Sequence, residues 1–444
     1  MASISARTFS LEEVNRYAGG RSDVARLAGN FAGVATADDS RNDIVIRGNS
    51  PTGVLWRLEG IPIPNPNHFS TTGSTGGPVS AINPNVLKNS DFITSAFPSE
   101  YGNATSGVFD LGMRSGNRDN HEFTFQMAAF SGLEGMAEGP IGKKGASYLL
   151  AVRNSFIALI SPPQTSATPN YLDVTFKIDS PTGKFGKVSL FGIGGRSSID
   201  FIGADIDTTD LFSEVDQDLL VDSEFGVLGV RHNKIIGDDG YIRTVIAGSY
   251  TRNQFKLDRY FQLGLPEETK IRYADGDNTE TRFSISSFYN KKFNPKTSLR
   301  AGVLLEQNGF DLINRDAEQA PDIDGDGFND IRIDYEFDES VFIFQPYAQV
   351  QHKFNKNWTL NAGLHGLYHE LNGQFAIEPR TSLTWNFTEG QKLTFGYGMH
   401  HQNLPLPIAL AESLNESGQR IQSNKDLNFT RSQHFVLGLS LIHI

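Results

Sequence analysis

Three absences limit what this chain can be. Its 444 residues include no cysteine, so disulfide bonds and thiolate metal sites are excluded. No apolar run approaches the roughly 18 residues of a membrane-spanning helix. The formal net charge of −12 argues against nucleic acid as a partner. A transmembrane β-barrel is still open, because its strands are only half apolar.

Motifs of catalysis and secretion are also missing. The sequence has no G-x-S-x-G, H-E-x-x-H or P-loop pattern and no credible catalytic triad, so we do not expect an enzyme. The N-terminus, MASISARTFSLEEVNRYAGG, has no basic segment followed by an apolar one and is therefore not a secretory signal.

From near residue 121 to the end of the chain, apolar and polar residues alternate along the sequence. About fourteen segments alternate between apolar and polar residues, and glycine (44), phenylalanine (32) and tyrosine (13) suit β-strands joined by tight turns. Short turns alternate with longer connections, as in an up-and-down outer-membrane barrel. The predicted short turns are 139–147, 180–187, 234–241, 291–298, 352–359 and 386–392, and the longer loops include 201–221, 260–279, 313–336 and 404–428.

The segment 355–371, NKNWTLNAGLHGLYHEL, shows why lipid is the expected neighbour of the apolar face. Its apolar side begins with Trp358 and ends with Tyr368. Ten tilted strand residues cover roughly 25 Å, which is the height of the apolar band of a membrane barrel, and aromatic residues mark both rims of that band. A soluble β-sandwich with a polar exterior is the alternative.

Residues 1–117 differ from the rest and predict a compact α+β unit. One or two short helices are expected over TFSLEEVNRYAGGRSDVARLAG, with Ser10 as an N-cap before Glu13. Short strands are expected at 43–48, 54–63 and 106–116, around a loop rich in Gly, Pro and Asn.

Four motifs of this unit resemble the plug domain of TonB-dependent outer-membrane receptors. They are DIVIRGNSP, RLEGIPI, INPNVLKNSDFIT and EYGNATSGVFDLGMRSG. Glu59 replaces the aspartate that is usual in the second motif. The segment EGPIGKKGASYLLAVRNS at 138–155 resembles the start of the barrel in Bacteroidetes-type receptors.

The resemblance implies a plug at 1–117 inside a transmembrane barrel that begins at residue 118. The family barrel has 22 strands, whereas about fourteen are found here, so we expect a chain truncated at its C-terminus. The absence of a signal peptide and of a TonB box before the plug suggests truncation at the N-terminus as well.

The implied function is energised uptake of a scarce ligand (a siderophore, cobalamin, peptide or glycan) in the outer membrane of a Gram-negative cell. The implied partners are TonB with its ExbB/ExbD energy complex, outer-membrane lipid and lipopolysaccharide, and the small external ligand. A passive channel and a surface adhesion or interaction protein are the alternatives, and no cofactor is expected to be required.

Two groups of plug residues are candidates for function. Because the family uses plug arginines against barrel glutamates as a charged latch, Arg47 is a latch candidate, with Glu306 among the partners considered; a plain surface arginine is the alternative. The loop 64–77 lies where the plug apex is expected. Its ligand-contact candidates are Asn65, Asn67, His68 and Phe69, although Pro64 and Pro66 also explain it as a structural loop.

The segment PDIDGDGFNDIRID at 321–334 predicts a structural calcium site. Asp322, Asp324, Asp326 and Asp330 have the spacing of a calcium loop, and Gly327 permits its bend. Ile333 stands where the bidentate glutamate is expected, so a solvated acidic loop is an equal alternative.

Overall fold

A computed structural model describes residues 5–17, 19–36, 38–71, 73–128, 132–155, 169–203, 216–262, 268–317, 329–410, 412–414 and 420–441. Within these ranges, no helix has the length and hydropathy needed to cross a bilayer.

Two short helices open the N-terminal unit, which we call the plug, as the sequence predicts. Helix α1 (Leu11–Arg16) begins with a capping box, in which Ser10 and Glu13 each accept a hydrogen bond from the other's backbone N–H. Helix α2 (Val24–Ala28) is capped by Asp23, whose carboxylate accepts hydrogen bonds from the first turn.

The rest of the plug is built from short strands around an aromatic core. Five strands form one mixed sheet in the order β1-β8-β9-β4-β5, in which β4 and β9 are parallel. Trp56 stacks on Phe109 with their ring centroids 4.2 Å apart, and Phe92 packs against Phe109 at 4.5 Å. The strands are β1 (Ala6–Phe9), β2 (Val34–Thr36), β3 (Ile44–Ile46), β4 (Val54–Leu58), β5 (Ile61–Pro62), β6 (Asn67–His68), β7 (Val79–Ser80), β8 (Ser90–Ile93) and β9 (Gly107–Leu111).

Fourteen antiparallel strands follow in one sheet, which confirms the number predicted from alternation. In sequence order they are β10 (Glu122–Ala128), β11 (Gly132–Ile141), β12 (Ala146–Asn154), β13 (Asn170–Pro181), β14 (Lys187–Ile202), β15 (Gln217–Ile236), β16 (Gly240–Phe261), β17 (Thr269–Asn294), β18 (Thr297–Asp316), β19 (Arg332–Lys353), β20 (Trp358–His369), β21 (Gln374–Thr388), β22 (Gln391–Gln402) and β25 (Thr430–Leu441). Before β25 lie helix α3 (Leu406–Ala409) and a two-stranded hairpin, β23 (Ser413–Leu414) and β24 (Arg420–Ile421). Each strand of the large sheet pairs with its neighbour in this order, so β10 and β25 form the two edges.

All six predicted short turns join strands at one end of the sheet, which we call the short-turn end. The opposite end carries the longer connections, although β20 and β21 are joined there by residues 370–373 alone; we call it the long-loop end. Three of the predicted loops are shorter in the structure than predicted. Strand β17 already begins at Thr269, inside the predicted loop 260–279, and β15 begins at Gln217, inside 201–221. Strand β18 continues to Asp316 and β19 begins at Arg332, both inside 313–336. These strands continue past the stretch whose apolar alternation is visible, because hydrogen bonding between strands does not require an apolar face.

The apolar faces point away from the plug. Leu364 is 54% exposed and Phe395 is 45% exposed, whereas the adjacent His365 and Thr394 face inward and are buried. Near the short-turn end, Trp358 stacks on Trp385 with ring centroids 5.3 Å apart. The predicted alternation is therefore confirmed, with aromatic residues at the expected rim.

The plug lies on the concave face of the sheet and packs against many of its strands. One core cluster joins plug residues to inward side chains of β12–β16, including Leu149, Phe191 and Val227. A polar inner face is what the alternation predicts, but part of this face is apolar because the plug, rather than water, covers it.

Candidate functional site

A cavity of about 210 Å³ lies between the plug and the inner face of β16–β19. The plug contributes Asn65, Gly102 and Asn103 to its lining, among others. Another side of the cavity is formed by residues 402–406, which start at the last residue of β22, at the long-loop end. The cavity is therefore bounded by plug, strands and a connecting segment at once.

The charged groups on the cavity wall are two carboxylates and one guanidinium. Arg282 Nε donates to Asn308 Oδ1 at 2.8 Å and lies 3.7 Å from Glu306 Oε1. Glu306 also accepts a hydrogen bond from Gln345 Nε2 at 2.8 Å. No residue that the structure describes donates a hydrogen bond to Glu280, so its carboxylate is left to interact with whatever enters the cavity.

Three hydrogen bonds tie the connecting segment to the plug. Gln402 Nε2 donates to the carbonyl oxygen of Thr52 at 2.8 Å, and its Oε1 accepts from Thr105 Oγ1 at 2.8 Å. The backbone N–H of Asn403 donates to Asn103 Oδ1 at 2.9 Å. We call residues 402–410 the strap, because they join the long-loop end of the sheet directly to the plug.

The far part of the strap is anchored by apolar burial. Helix α3 packs Leu406, Ala409 and Leu410 against inward side chains of β18 and β19, including Phe310 and Phe337. Burying a leucine side chain stabilises such a contact by about 1.5–3 kcal/mol. The strap is thus fixed to the wall by apolar contacts and to the plug by polar ones.

A buried ion-pair group anchors the plug nearer the short-turn end. Glu59 Oε1 lies 3.1 Å from Lys177 Nζ of β13, and Glu59 Oε2 pairs with Arg231 Nη1 of β15. Glu59 also accepts a hydrogen bond from the backbone N–H of Met113 at 2.6 Å. Burial by itself would raise the pKa of Glu59, but Lys177, Arg231 and this N–H hold the pKa below its usual value.

Local backbone geometry explains how Glu59 reaches these partners. Glu59 and Gly60 connect β4 to β5 with φ of 55° and 102°, as in a two-residue hairpin turn with both residues left-handed. The turn directs the carboxylate out of the plug toward the wall. A left-handed glutamate is strained by about 1 kcal/mol or more, and its three charged and polar contacts offset that strain.

A second buried group joins the loop 64–77 to the wall. His68 Nε2 lies 3.0 Å from Asp173 Oδ2, and Arg153 Nη2 donates to the same oxygen at 2.8 Å. His68 also stacks on Tyr171, with ring centroids 4.7 Å apart. Burial lowers the pKa of His68 although Asp173 acts in the opposite direction, so the neutral imidazole is favoured.

A third group holds plug residues 96–105. Arg380 donates to the carbonyl oxygens of Pro98, at 2.7 Å, and of Tyr101. His365 Nδ1 lies 2.8 Å from the carbonyl oxygen of Ser99. On the same segment, a Cβ added to Gly102 would overlap His365 and Gln345. Gly102 is therefore required for close approach to the wall rather than for a turn. Gly48 and Gly60, with φ of 80° and 102°, have the left-handed backbone that suits a turn glycine.

The structure places the latch candidate Arg47 on an exposed part of the plug. Its backbone is left-handed, with φ of 52°, and its N–H donates to the carbonyl oxygen of Gly33. Arg47 has no ion-pair partner among the residues described, so a latch through Arg47 stays a prediction. The buried ion pair at Glu59 has the opposite polarity, with the carboxylate on the plug and the cations on the wall.

The four ligand-contact candidates of the loop 64–77 are separated by the fold. Asn65 lines the cavity, and its amide donates to Ser74 and Gly76 within the loop. Asn67, His68 and Phe69 are buried. Their hydrogen bonds go to Asn42, to Asp173 and, through the backbone N–H of Phe69, to Ser197. Ligand contact by these four residues stays a prediction.

The calcium candidates fall mostly outside the described residues. Asp322, Asp324 and Asp326 lie in the undescribed segment 318–328, while Asp330 lies just before β19 and already interacts with another residue. In the part of the chain that the structure describes, no group of three His, Asp or Glu side chains has metal-binding geometry. The calcium site at 321–334 therefore stays a prediction.

Sequence reasoning missed Glu59, Lys177, Arg231, Arg380 and the strap. One signal was present: Arg231 occupies an inward position of β15 whose inward neighbours Phe225, Val227 and Gly229 are apolar or small. A single charge in such a position predicts a buried partner.

Two family models match the chain. The model of the TonB-dependent receptor plug domain matches residues 2–108. The model of the TonB-dependent receptor-like β-barrel matches residues 159–441, which is more than half of the sequence. The chain belongs to the TonB-dependent receptor family. This receptor is accordingly an outer-membrane β-barrel protein that takes up a small external ligand and interacts with TonB, in a family of transporters and receptors rather than of enzymes.

Solved structures share this fold along the whole chain. A variant of the ferric enterobactin receptor PfeA from Pseudomonas aeruginosa is 16% identical, with a TM-score of 0.66 over 99% of this chain and 69% of its own. The siderophore receptor PirA from Acinetobacter baumannii is 14% identical, with a TM-score of 0.68 and the same coverage of 99% and 69%. The outer membrane transporter YddB from Escherichia coli is 14% identical, with a TM-score of 0.71 over 99% of this chain and 67% of its own. No curated protein matches the sequence.

Proposed function

We propose that this receptor imports a scarce ligand by energised transport across the outer membrane of a Gram-negative cell. TonB, driven by the ExbB/ExbD complex and the inner-membrane proton gradient, pulls on the plug and opens a path along the wall. Outer-membrane lipid and lipopolysaccharide surround the barrel. The segment at 138–155 favours a Bacteroidetes-type receptor.

The observation that carries this proposal is the way in which the plug is held. Its anchors are ion pairs and hydrogen bonds at Glu59, His68 and the segment 96–105, together with one apolar face. Together such contacts hold the plug firmly, but each one alone can break and form again. A plug that must move and return needs both properties. In the cavity beside the strap, a bound ligand would contact plug and wall together.

A siderophore is the first ligand to test, since PfeA and PirA are siderophore receptors of the same fold. Cobalamin, a peptide and a glycan remain in the proposal as other classes. We expect no catalytic activity and no required cofactor.

Uptake of labelled ligand by cells that carry the receptor tests the energised mechanism. Energised transport predicts that a protonophore abolishes accumulation while binding to the cell surface persists. Passage through a passive channel would be unaffected by the protonophore. A surface adhesion protein would bind its partner without any accumulation, with or without the gradient.

Structural calcium in the loop 321–334 is a separate proposal, supported by the spacing of Asp322, Asp324, Asp326 and Asp330. Isothermal titration of the receptor with calcium checks it. Heat of binding that disappears in Asp324→Asn is the expected result, and no binding at millimolar calcium would reject the site.

A further inference from the structure

The cavity between the plug and β16–β19 offers a ligand hydrogen-bond acceptors. Gln345 lines it and is only 1% exposed; its Nε2 donates to Glu306, while its Oε1 has no partner among the described residues. Asn403 Oδ1, on the strap, is also buried without a described partner. In the described part of the chain, these are the buried side-chain atoms of the lining that lack a partner, and both are acceptors. A ligand that fills the cavity should therefore bring donors, because a buried acceptor without a partner costs free energy.

The charge of the lining favours a donor that is also a cation. Glu280 and Glu306 supply two carboxylates, whereas Arg282 is the one cation that lines the cavity within the described residues. Arg282 donates to Asn308, which lies opposite it in the register of β17 and β18, and it lies 3.7 Å from Glu306. The guanidinium is therefore engaged on the side of Glu306. Glu280, which is half-buried, is the excess carboxylate.

An apolar surface borders Glu280. Phe310 lies directly opposite Glu280 in the register of β17 and β18, and cross-strand partners point to the same face of a sheet. Leu406 of the strap packs with Phe310 and lines the same cavity. On the other side of Phe310, Glu339 is its partner on β19 and is exposed, which adds a carboxylate to the same row. A carboxylate beside an apolar surface fits a cationic group on an apolar stem.

The size of the cavity indicates which part of a ligand it can hold. Its volume of about 210 Å³ is below the roughly 300–1,000 Å³ of pockets that enclose a whole small molecule. One arm of a ligand fits this space, while the rest of the ligand would lie outside it.

We propose that the ligand carries a protonated primary amine on a short apolar stem and that this cavity binds that arm, which rests on the proposed uptake function. The ammonium group donates to Glu280, and the stem lies against Phe310 and Leu406. Further donors of the ligand meet Gln345 Oε1 and Asn403 Oδ1. An ammonium group has three N–H donors and no acceptor, so it matches a lining that is rich in acceptors. Its charge also keeps the Glu280 carboxylate ionised.

Ligand arms of other charge fit this lining less well. An anionic arm would be repelled by Glu280 and Glu306 together, and a ferric catecholate complex is an anion. A neutral hydroxyl would leave the half-buried Glu280 without a counter-charge. The lining therefore favours an amine-bearing ligand over a ferric catecholate or an uncharged glycan.

Isothermal titration of the purified receptor in detergent with three probes tests the cavity. Pentylamine, 1-pentanol and pentanoate have the same short apolar stem and differ in charge. Pentylamine is expected to bind at least tenfold more tightly than the other two. Glu280→Gln should remove that preference and leave the binding of 1-pentanol unchanged, while Glu280→Lys should reverse the preference in favour of pentanoate.

Glu336→Gln is the matched control, because Glu336 is an exposed glutamate of β19 that does not line the cavity. It should bind the three probes as wild type does. Equal affinity of wild type for the three probes would overturn the amine site, and so would equal losses of pentylamine binding in Glu280→Gln and Glu336→Gln. Displacement of pentylamine by millimolar calcium would assign the carboxylates to a metal ion and would also overturn it.

Two larger probes distinguish the sources of the amine. A peptide source predicts tighter binding of a tripeptide with a central lysine, and a siderophore source predicts tighter binding of an iron-loaded linear hydroxamate that ends in a free amine. Titration needs no proton gradient, so amine binding without energised uptake in cells would contradict only the proposed transport. Energised uptake of a ligand whose affinity is unchanged by Glu280→Gln would contradict only the amine site.

Discussion

Glu59 of the plug and Lys177 of the wall lie 3.1 Å apart, although 118 residues separate them in the sequence. Both side chains are almost completely buried, and Arg231 completes the group. The glutamate that departs from the family's usual aspartate therefore joins the plug to β13 and β15 at once. Its longer side chain reaches two cations on different strands.

Removing the charge of Glu59 should loosen the plug. Glu59→Gln keeps the shape of the side chain but removes the carboxylate that Lys177 and Arg231 share, which destabilises by about 3–5 kcal/mol. Chemical unfolding of the receptor in detergent, followed by protease sensitivity of the plug, measures the effect.

Glu12→Gln is the control for that variant. Glu12 pairs with Arg16 on an exposed helix surface, at 2.8 Å, and an exposed pair of this kind contributes only about 0–1 kcal/mol. Equal stability losses in the two variants would show that the buried group does not anchor the plug.

Lowering the pH should weaken the contacts that hold the plug against the wall. Burial depresses the pKa of His68 below 6.5, so its contribution is complete above pH 6.5 and is lost as the pH falls through the folded-state value. The pKa of Glu59 is depressed below 4.5, so its contribution is lost at still lower pH. The free energy of unfolding should therefore decrease below pH 6.5, and the difference between wild type and His68→Gln isolates the first step. A difference that does not change with pH would contradict the role of His68.

Gly102→Ala should displace the segment 96–105 from the wall. The added Cβ would overlap His365 and Gln345, so either the plug or β19 and β20 must shift. We expect a loss of roughly 1–3 kcal/mol, which is typical of overpacking, and faster proteolysis after Tyr101. Gly135→Ala, at an open position, should behave as wild type. If both variants match wild type, the plug does not pack here as described.

Linking the strap to the plug should block transport. Asn403 N and Asn103 Oδ1 are 2.9 Å apart, and the chain has no other cysteine to interfere with Asn103→Cys/Asn403→Cys. Oxidation should stop energised uptake, and reduction should restore it, because the plug could no longer move away from the strap. Each single variant is the control. Mass spectrometry shows which molecules are crosslinked. Full uptake by crosslinked molecules would mean that transport does not require the plug to separate from the strap.

The strands were predictable because their pattern is local. Alternation with a period of two is visible within any ten residues, as at Leu364 and His365, and the short turns carry their own glycine and asparagine signals. The capping box at Ser10 and Glu13 is local in the same way. These features need no knowledge of what the strands enclose.

The anchors of the plug were not predictable in that way. Whether Glu59 meets Lys177 depends on strand order, tilt and register across more than a hundred residues. The same holds for the strap, whose contacts with Asn103 and Thr52 join segments about 300 residues apart or more. Sequence reasoning expected the latch arginine on the plug, whereas the buried ion pair at Glu59 places its cations on the wall.

A membrane barrel requires lipid next to its outward face, and single cysteines test this directly. Fluorophores at Leu364→Cys, Phe395→Cys and Leu437→Cys, each on an exposed apolar side chain, are compared in vesicles with one at Lys356→Cys in a short turn. Brominated lipids should quench the first three but not the fourth, while aqueous iodide should do the reverse. Iodide quenching at Leu364, Phe395 and Leu437 without lipid quenching would contradict the membrane barrel.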